Sequence, residues 1–139
     1  SIDSVARKYL KQIDLDYAHG TGHGVGFFLN VHEGPHAISK GNKVIFKEGM
    51  VVSNEPGYYE KNNFGIRIEN LIYVKRTGKS NFFENLTMAP IDKELIDLKI
   101  LNKKEKIWLN NYHKKVFDNL KKFMNKTEFL QLNKSCSAI

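Results

Sequence analysis

The sequence predicts a single domain that contains both helices and β-strands, and three observations lead to this prediction. The chain has 139 residues, the length of one ordinary domain. Hydrophobic residues make up 41% of it and aromatic residues 12%, which is enough to bury a core and excludes a disordered or collagen-like chain. Apolar residues recur at a helical period near both ends, whereas β-rich runs lie between them. No linker marks an internal boundary.

The predicted elements begin and end with helices. Residues 2–13 place their apolar side chains near one face of a helix of about twelve residues. Glycine occupies every second position up to Gly26, and each would cost a helix about 1 kcal/mol relative to Ala, so this stretch is predicted to be extended or looped. Met50–Glu55 and Ile66–Val74 are predicted strands, and Asn81–Met88 is a candidate third strand. A long helix is predicted over Lys104–Asn125, and a frayed tail after it.

The net charge of +7, from 22 Lys and Arg against 15 Asp and Glu, raises the question of nucleic-acid binding. Much of the excess consists of lysines that alternate with apolar residues at helical spacing in the last third of the chain, which is typical of a solvated helix face. No run is long and apolar enough for a membrane-spanning helix. The single cysteine, Cys136, cannot form an intrachain disulfide. We therefore expect no nucleic-acid partner, no membrane partner and a cytoplasmic location.

Three histidines lie close together in a glycine-rich part of the chain. In an extended backbone, His19 and His23 fall on the same side, so that their rings can share a site. The glycines between them allow a substrate or an ion to approach the backbone closely. His32 follows in Asn-Val-His-Glu-Gly-Pro. Any one of these histidines taken alone fits a surface or core position, but the cluster favours a functional site.

Carboxylates complete the candidate site. Glu55 ends a predicted strand just before Pro56, and period-two alternation places Glu69 on the same face as Arg67. Taken alone, Glu69 is equally consistent with a surface glutamate paired with Arg67. Together with the histidines, the two glutamates predict an oxygen-rich metal site with one imidazole, the type that suits Mn, Co, Fe or Zn in a hydrolase.

Four ordered motifs carry a resemblance to a known family. These are His-Gly-Thr-Gly-His-Gly-Val-Gly at 19–26, Asn-Val-His-Glu-Gly-Pro at 30–35, Asn-Glu-Pro-Gly-Tyr-Tyr at 54–59 and Gly-Ile-Arg-Ile-Glu-Asn at 65–70. They resemble the catalytic half of aminopeptidase P, the Xaa-Pro aminopeptidase of peptidase family M24. The resemblance implies the C-terminal portion of an α+β pita-bread (creatinase/aminopeptidase) fold, in which helices flank a curved antiparallel sheet. Residues 1–139 would then include a family-type extension at about 80–125 and a polar tail at 126–139.

The resemblance also implies roles for individual residues. His23, Glu55 and Glu69 match metal ligands of the family, whose enzymes hold two divalent ions, usually manganese, with Co, Fe and Zn as alternatives. His19 and His32 match catalytic and substrate-binding histidines, and Glu55 would also act as a catalytic proton acceptor. Arg67 would orient the ligand carboxylate beside it.

The family's two aspartate ligands belong to a motif that is absent from this sequence. Asp14 and Asp16 precede the histidine block too closely and lack that motif, so they are interpreted as a solvated helix end or turn. We expect the chain to be a fragment, inactive alone, to which an upstream part of the same protein supplies both aspartates. The opening at Ser1 agrees with this expectation.

The function implied is a metalloaminopeptidase that removes an N-terminal residue preceding proline by means of water activated at two metal ions. Peptides with proline at the second position are the expected partners, together with a second copy of the full-length protein in a homodimer. The apolar residues of the long helix could lie at that subunit contact, although packing within the chain is favoured; they are Trp108, Tyr112, Val116 and Phe117. The alternatives are a metal-free pita-bread peptide-binding module, and a methionine aminopeptidase or prolidase of the same fold.

Overall fold

A computed structural model describes residues 1–28 and 30–139, which divide into an N-terminal unit, Ser1–Thr87, and a C-terminal unit, Met88–Ile139. No linker in the sequence predicts a boundary at residue 87, although the resemblance implied a C-terminal extension beginning at about residue 80. Among the described residues, none of the helices combines the length and apolar character needed to cross a bilayer.

The N-terminal unit begins with α1 (Ile2–Lys11), which is capped by the Ser1 hydroxyl accepting from the Ser4 N–H. The helix is shorter than the predicted 2–13, because the chain turns at Asp14, which has a φ of 57°. Its apolar residues lie on one face as predicted, but Val5 and Tyr9 are each 70% exposed. The buried residue of α1 is instead Asp3.

Within the described residues, seven strands follow α1 and form three antiparallel sheets. The strands are β1 (Gly22–His23), β2 (Ala37–Ile38), β3 (Val51–Asn54), β4 (Gly57–Tyr59), β5 (Gly65–Arg67), β6 (Asn70–Thr77) and β7 (Ser80–Asn85). Strand β1 pairs with β2, β3–β6–β7 form the largest sheet, and β4 pairs with β5. A bridge between Gly24 and Val52 connects the chain after β1 to β3. The candidate third strand is confirmed as β7, with earlier bounds than predicted.

The strands β3 to β6 form one long hairpin that is interrupted in the middle. The last pair of β3 and β6 is Asn54 with Asn70, and the first pair of β4 and β5 is Gly57 with Arg67, so the register is the same on both sides of the gap. Pro56 lies in the gap and has no N–H to donate to a ladder. The predicted single strand Ile66–Val74 is therefore wrong: it is two strands, separated at residues 68 and 69.

The core of the N-terminal unit packs around the inner half of this hairpin. Val52 is fully buried and Val74 is 2% exposed, whereas Ile66 and Ile68 near the hairpin's outer half are 43% and 49% exposed. The predicted alternation of buried and exposed side chains thus fits β6 better than β5. The buried pairing of β3 with β6 therefore positions the residues that follow Asn54 and precede Asn70.

The C-terminal unit contains two helices. Helix α2 (Lys103–Leu120) begins at a capping box formed by Asn102 and Glu105, and it ends in a short 3-10 turn rather than continuing to Asn125. The predicted frayed tail is wrong, because Lys126–Ser135 forms a further helix, α3, with its own capping box from Asn125 and Glu128. The apolar face of α3 buries Leu132 against α2.

The apolar residues predicted on α2 pack within this unit. Tyr112 and Val116 are buried, Phe117 packs edge-to-face on Phe129, and the Tyr112 hydroxyl donates to the Ala89 carbonyl at 2.7 Å. Trp108 is 57% exposed and stacks on the Tyr112 ring. The preference for packing over a subunit contact is confirmed for Tyr112 and Val116.

His113 should make the stability of this unit depend on pH. The residue is fully buried, and its Nε2 accepts from the Ile91 N–H at 3.1 Å. Burial and the nearby Lys93 ammonium lower the pKa of His113. The unfolded chain therefore binds a proton more readily, and the free energy of unfolding should fall as the pH drops below about 6.5.

Urea unfolding of this chain at pH 7.5 and pH 5, followed by the fluorescence of its single tryptophan, Trp108, measures the effect. His113→Gln can still accept from the Ile91 N–H but does not titrate, so it should show a smaller loss of stability between the two pH values. An equal loss in both proteins would contradict the prediction.

Candidate metal centre

The residues predicted to bind metal come together at the interruption in the hairpin. One ligand atom from each of His23, Glu55 and Glu69 lies within 4.8 Å of the other two. His23 comes from β1, Glu55 follows β3 and Glu69 precedes β6. Side chains far apart in sequence thus converge on one point.

The antiparallel register places the two carboxylates opposite each other. Glu55 and Glu69 are the positions immediately beyond the Asn54–Asn70 pair. Like charges directly across a ladder repel each other. Arg67 offsets part of this repulsion, because its Nη1 lies 3.0 Å from Glu55 Oε2 and 3.8 Å from Glu69 Oε2. The sequence predicted that Arg67 would orient the carboxylate of Glu69. In the structure, Arg67 lies closer to Glu55 than to Glu69.

The orientation of His23 fits a metal ligand. Its Nδ1 lies 3.0 Å from the Gly24 carbonyl oxygen, which can only accept, so Nδ1 carries the hydrogen. The Nε2 of a neutral ring then turns its lone pair towards Glu55 Oε1, at 3.3 Å. In this arrangement both atoms can coordinate the same cation. This donor set of one imidazole and two carboxylates suits a divalent transition metal.

Ser53 holds two of these residues in place, and the sequence analysis missed it. Ser53 is fully buried. Its hydroxyl accepts a hydrogen bond from the backbone N–H of His23 at 2.9 Å and donates one to Glu55 Oε1 at 2.8 Å. The signal was present in the sequence, since Ser53 lies two positions before Glu55 on the same face of β3.

His19 occupies a different place from His23. Its Nε2 lies 2.8 Å from the Tyr59 hydroxyl and its Nδ1 lies 2.7 Å from the Gly20 carbonyl. Because Nδ1 must donate to that carbonyl, Nε2 of the neutral ring accepts from Tyr59, and the Tyr59 oxygen accepts from Arg67 Nε at 2.9 Å. Tyr59, which was not predicted, thus connects His19 to the arginine beside the carboxylates. That hydrogen bond also raises the pKa of Arg67.

His32 lies beside the candidate ligands rather than among them. Its ring is exposed and packs on the His23 ring, with the ring centroids 3.9 Å apart. The three predicted histidines therefore have different surroundings. His23 faces the carboxylates, the His32 ring packs on the His23 ring, and His19 is hydrogen-bonded to Tyr59.

Two of the alternating glycines pack closely against neighbouring backbone. The glycines between His19 and Gly26 do not adopt a positive φ, which is found instead at Gly41, Gly49 and Gly78. A Cβ at Gly22 would lie 1.8 Å from the Ser53 carbonyl oxygen, and one at Gly24 would lie 1.9 Å from the Glu33 carbonyl oxygen. Close packing of neighbouring backbone therefore requires glycine at these two positions.

Asp14 and Asp16 lie away from the carboxylates, as expected. Asp14 is exposed in the turn after α1. Asp16 contacts Lys11 and Arg7, both at 2.7 Å, and these cations hold the pKa of Asp16 far below its usual value.

Sequence comparison divides the chain in a similar way to the structure. Residues 1–76 match the model of metallopeptidase family M24, and residues 80–139 match that of the C-terminal region of peptidase M24. A probable Xaa-Pro aminopeptidase P from Laccaria bicolor is 47% identical, with 99% of this chain and 24% of that protein covered. The resemblance to aminopeptidase P is confirmed.

Solved structures give the same result. The X-prolyl aminopeptidase of Caenorhabditis elegans, described as a cytosolic enzyme with a di-nuclear active site, superimposes with a TM-score of 0.86 and 36% identity, covering 99% of this chain and 24% of that one. A prolidase from Pyrococcus horikoshii gives a TM-score of 0.51 and 36% identity, covering 59% of this chain and 23% of that one.

This chain spans about a quarter of the length of the relatives it matches most fully. Its mixed helices and antiparallel strands belong to the α+β pita-bread fold that the resemblance implied. The matched residues, the shared fold and the convergence of the candidate ligands lead to one conclusion: the chain belongs to metallopeptidase family M24.

Proposed function

We propose that this chain is the C-terminal catalytic part of a metal-dependent Xaa-Pro aminopeptidase, which removes an N-terminal residue that precedes proline. The observation that carries the proposal is the convergence of His23, Glu55 and Glu69, whose ligand atoms lie within 4.8 Å of one another. These residues would hold two divalent ions, with manganese as the expected metal, together with two aspartates from an upstream part of the protein. The chain alone should then be inactive.

The two ions would supply an acidified water molecule and a polarised scissile carbonyl. Glu55 is suited to accept the proton of the attacking water, because Ser53 and Arg67 hold its carboxylate in a fixed, nearly buried position. That proton is then available for the proline nitrogen, a leaving group without an N–H of its own.

The histidines would act on the substrate. His32 is exposed beside His23 and can donate a hydrogen bond to the substrate carbonyl oxygen as negative charge develops on it. His19 has both ring nitrogens engaged, with Gly20 and Tyr59. We therefore assign His19 to lining and positioning the substrate rather than to moving a proton.

The curated relatives favour an aminopeptidase over a prolidase, because the probable Xaa-Pro aminopeptidase P of Laccaria bicolor is 47% identical with 99% of this chain covered. The Caenorhabditis elegans aminopeptidase matches 99% of this chain, including the C-terminal unit, whereas the prolidase matches 59%. The presence of all three expected ligands argues against a metal-free binding module. A cytoplasmic homodimer that acts on peptides, without nucleic-acid or membrane partners, remains part of the proposal.

Peptide cleavage by the complete protein tests the proposal. We expect release of the first residue from an Xaa-Pro-Yaa peptide, with much slower cleavage of an Xaa-Pro dipeptide and of a Met-initiated peptide that lacks proline at the second position. A chelator should abolish this release and added Mn²⁺ should restore it.

Release that persists after the metal has been removed would contradict the metal mechanism. Preference for the dipeptide would identify a prolidase, and preference for the Met-initiated peptide a methionine aminopeptidase. A purified protein that binds peptides but neither binds metal nor cleaves would support the binding module. A monomer in sedimentation would reject the homodimer.

A further inference from the structure

Arg7 of α1 donates hydrogen bonds from all three of its guanidinium nitrogens. Its Nε lies 3.0 Å from both carboxylate oxygens of Asp3. Its Nη1 donates to the Tyr17 carbonyl at 2.7 Å, and its Nη2 donates to the His19 carbonyl at 2.6 Å. Nη1 also contacts Asp16, and the guanidinium lies over the Tyr17 ring, 3.9 Å from its centroid. The side chain is 14% exposed.

Asp3 extends these contacts towards the ligands. It is 5% exposed and accepts from the Thr21 hydroxyl at 2.7 Å. Although burial raises the pKa of Asp3, hydrogen bonds from Thr21 and Arg7 outweigh this and leave it lower than usual. Asp3 is therefore ionised at neutral pH, as the partner of a buried cation should be.

Thr21 carries the connection to two proposed ligands. It is fully buried, its backbone carbonyl accepts from the Glu55 N–H at 2.8 Å, and it precedes His23 by two residues on the same extended segment. One set of contacts thus runs from Arg7 through Asp3 and Thr21 to the backbone of Glu55. A second runs from Arg7 to the carbonyl of His19.

We propose that Arg7 is a positioning residue for the metal centre, which fixes the backbone of residues 17–21 so that His23 and Glu55 face one point. The inference rests on the proposed function only in that these residues bind metal. Arg7 touches neither ligand and has no part in the chemistry. The planar guanidinium group of Arg7 is essential to this role. A lysine carries the same charge but cannot bind a carboxylate and two carbonyls in fixed directions.

Cobalt binding to the complete protein provides a test that does not depend on activity. Metal-free protein is titrated with Co²⁺, whose visible absorption reports binding and the geometry of the ligands. Arg7→Lys should bind Co²⁺ about 10- to 100-fold more weakly than wild type, the usual effect of losing a group that orients metal ligands. Its absorption spectrum should also change. Arg76→Lys is the matched control, because Arg76 is exposed and its Nε donates to the Gly78 carbonyl in the turn after β6.

The outcomes separate this inference from the proposed function. If wild type does not bind Co²⁺, the proposed function fails. If wild type binds and Arg7→Lys binds equally well with the same spectrum, or Arg76→Lys is weakened to the same extent, the positioning role is overturned. Far-UV circular dichroism checks that each variant is folded.

Thr21→Val decides the question if Arg7→Lys does not fold. This variant keeps the Arg7–Asp3 pair and removes the Thr21 hydroxyl, together with its hydrogen bonds to Asp3 and to the Tyr17 hydroxyl. Weaker Co²⁺ binding by folded Thr21→Val supports the role, and wild-type affinity overturns it.

Discussion

Replacing Glu69 with glutamine should abolish metal-dependent stabilisation of the complete protein. The change removes one carboxylate from the five proposed ligands of the complete protein while keeping the shape of the side chain, so divalent affinity should fall by more than about a hundredfold. At a Mn²⁺ concentration 100 times the wild-type Kd, one bound ion stabilises wild type by about 2.7 kcal/mol. A variant with hundredfold weaker binding would gain only about 0.4 kcal/mol. The rise in thermal unfolding midpoint on adding Mn²⁺ measures the difference.

The metal-free variant should be at least as stable as metal-free wild type. Glu69 lies across from Glu55 in the hairpin, so its neutralisation removes a repulsion. Its contact with Arg67 is long, at 3.8 Å, and exposed, and contributes little. Glu48→Gln, at an exposed position, is the control and should keep the full response to Mn²⁺. A wild-type response in Glu69→Gln would exclude Glu69 as a ligand.

Gly22→Ala should be among the most damaging single changes in the N-terminal unit. The new Cβ would lie 1.8 Å from the carbonyl oxygen of Ser53 and 2.7 Å from its carbonyl carbon. Backbone atoms cannot rotate away, so β1 and β3 must separate. That movement would break the hydrogen bonds from the His23 N–H to Ser53 and from the Glu55 N–H to Thr21. We expect a loss of about 3 kcal/mol in the free energy of unfolding, together with loss of metal binding.

Gly20→Ala provides a control within the same motif. Its new Cβ would meet Ser39 Cβ at 3.5 Å and the Ile38 carbonyl oxygen at 3.7 Å, which are ordinary contacts. The stability of this variant should remain within about 0.5 kcal/mol of wild type. Urea unfolding followed by circular dichroism compares the two proteins. Similar stability for both alanine variants would contradict the close approach of β1 and β3.

Local sequence signals predicted α1, β3, β7 and α2, because these elements depend on neighbouring residues, whereas β2 and β4 were not predicted. The helical period of Trp108, Tyr112 and Val116 located α2, and the β-branched run before Glu55 located β3. The missed helix α3 had a signal as well: Asn125 and Glu128 have the spacing of a capping box, but the polar composition of the segment was interpreted as a tail. Composition was a poorer guide there than the spacing of the cap.

The candidate site was predictable only in part, because its geometry depends on long-range pairing. Motif resemblance selected His23, Glu55 and Glu69, but nothing local to Ile66–Val74 shows that the strand breaks beside Glu69. The break depends on Pro56 in the facing strand. Tyr59 and Arg7 were missed for a similar reason, since their partners lie in other elements and become neighbours only when the chain folds.

The shared register of the interrupted hairpin also bears on how this chain tolerates changes in length. The distance between Glu55 and Glu69 is set by the paired residues on either side of them, Asn54 with Asn70 and Gly57 with Arg67, and not by the number of residues that connect them. Extra residues at the distal tip, around 61–63, would leave both carboxylates in place. One extra residue between Asn54 and Glu55 would instead rotate Glu55 to the opposite side of the hairpin. Diversification of this hairpin should therefore be confined to its tip.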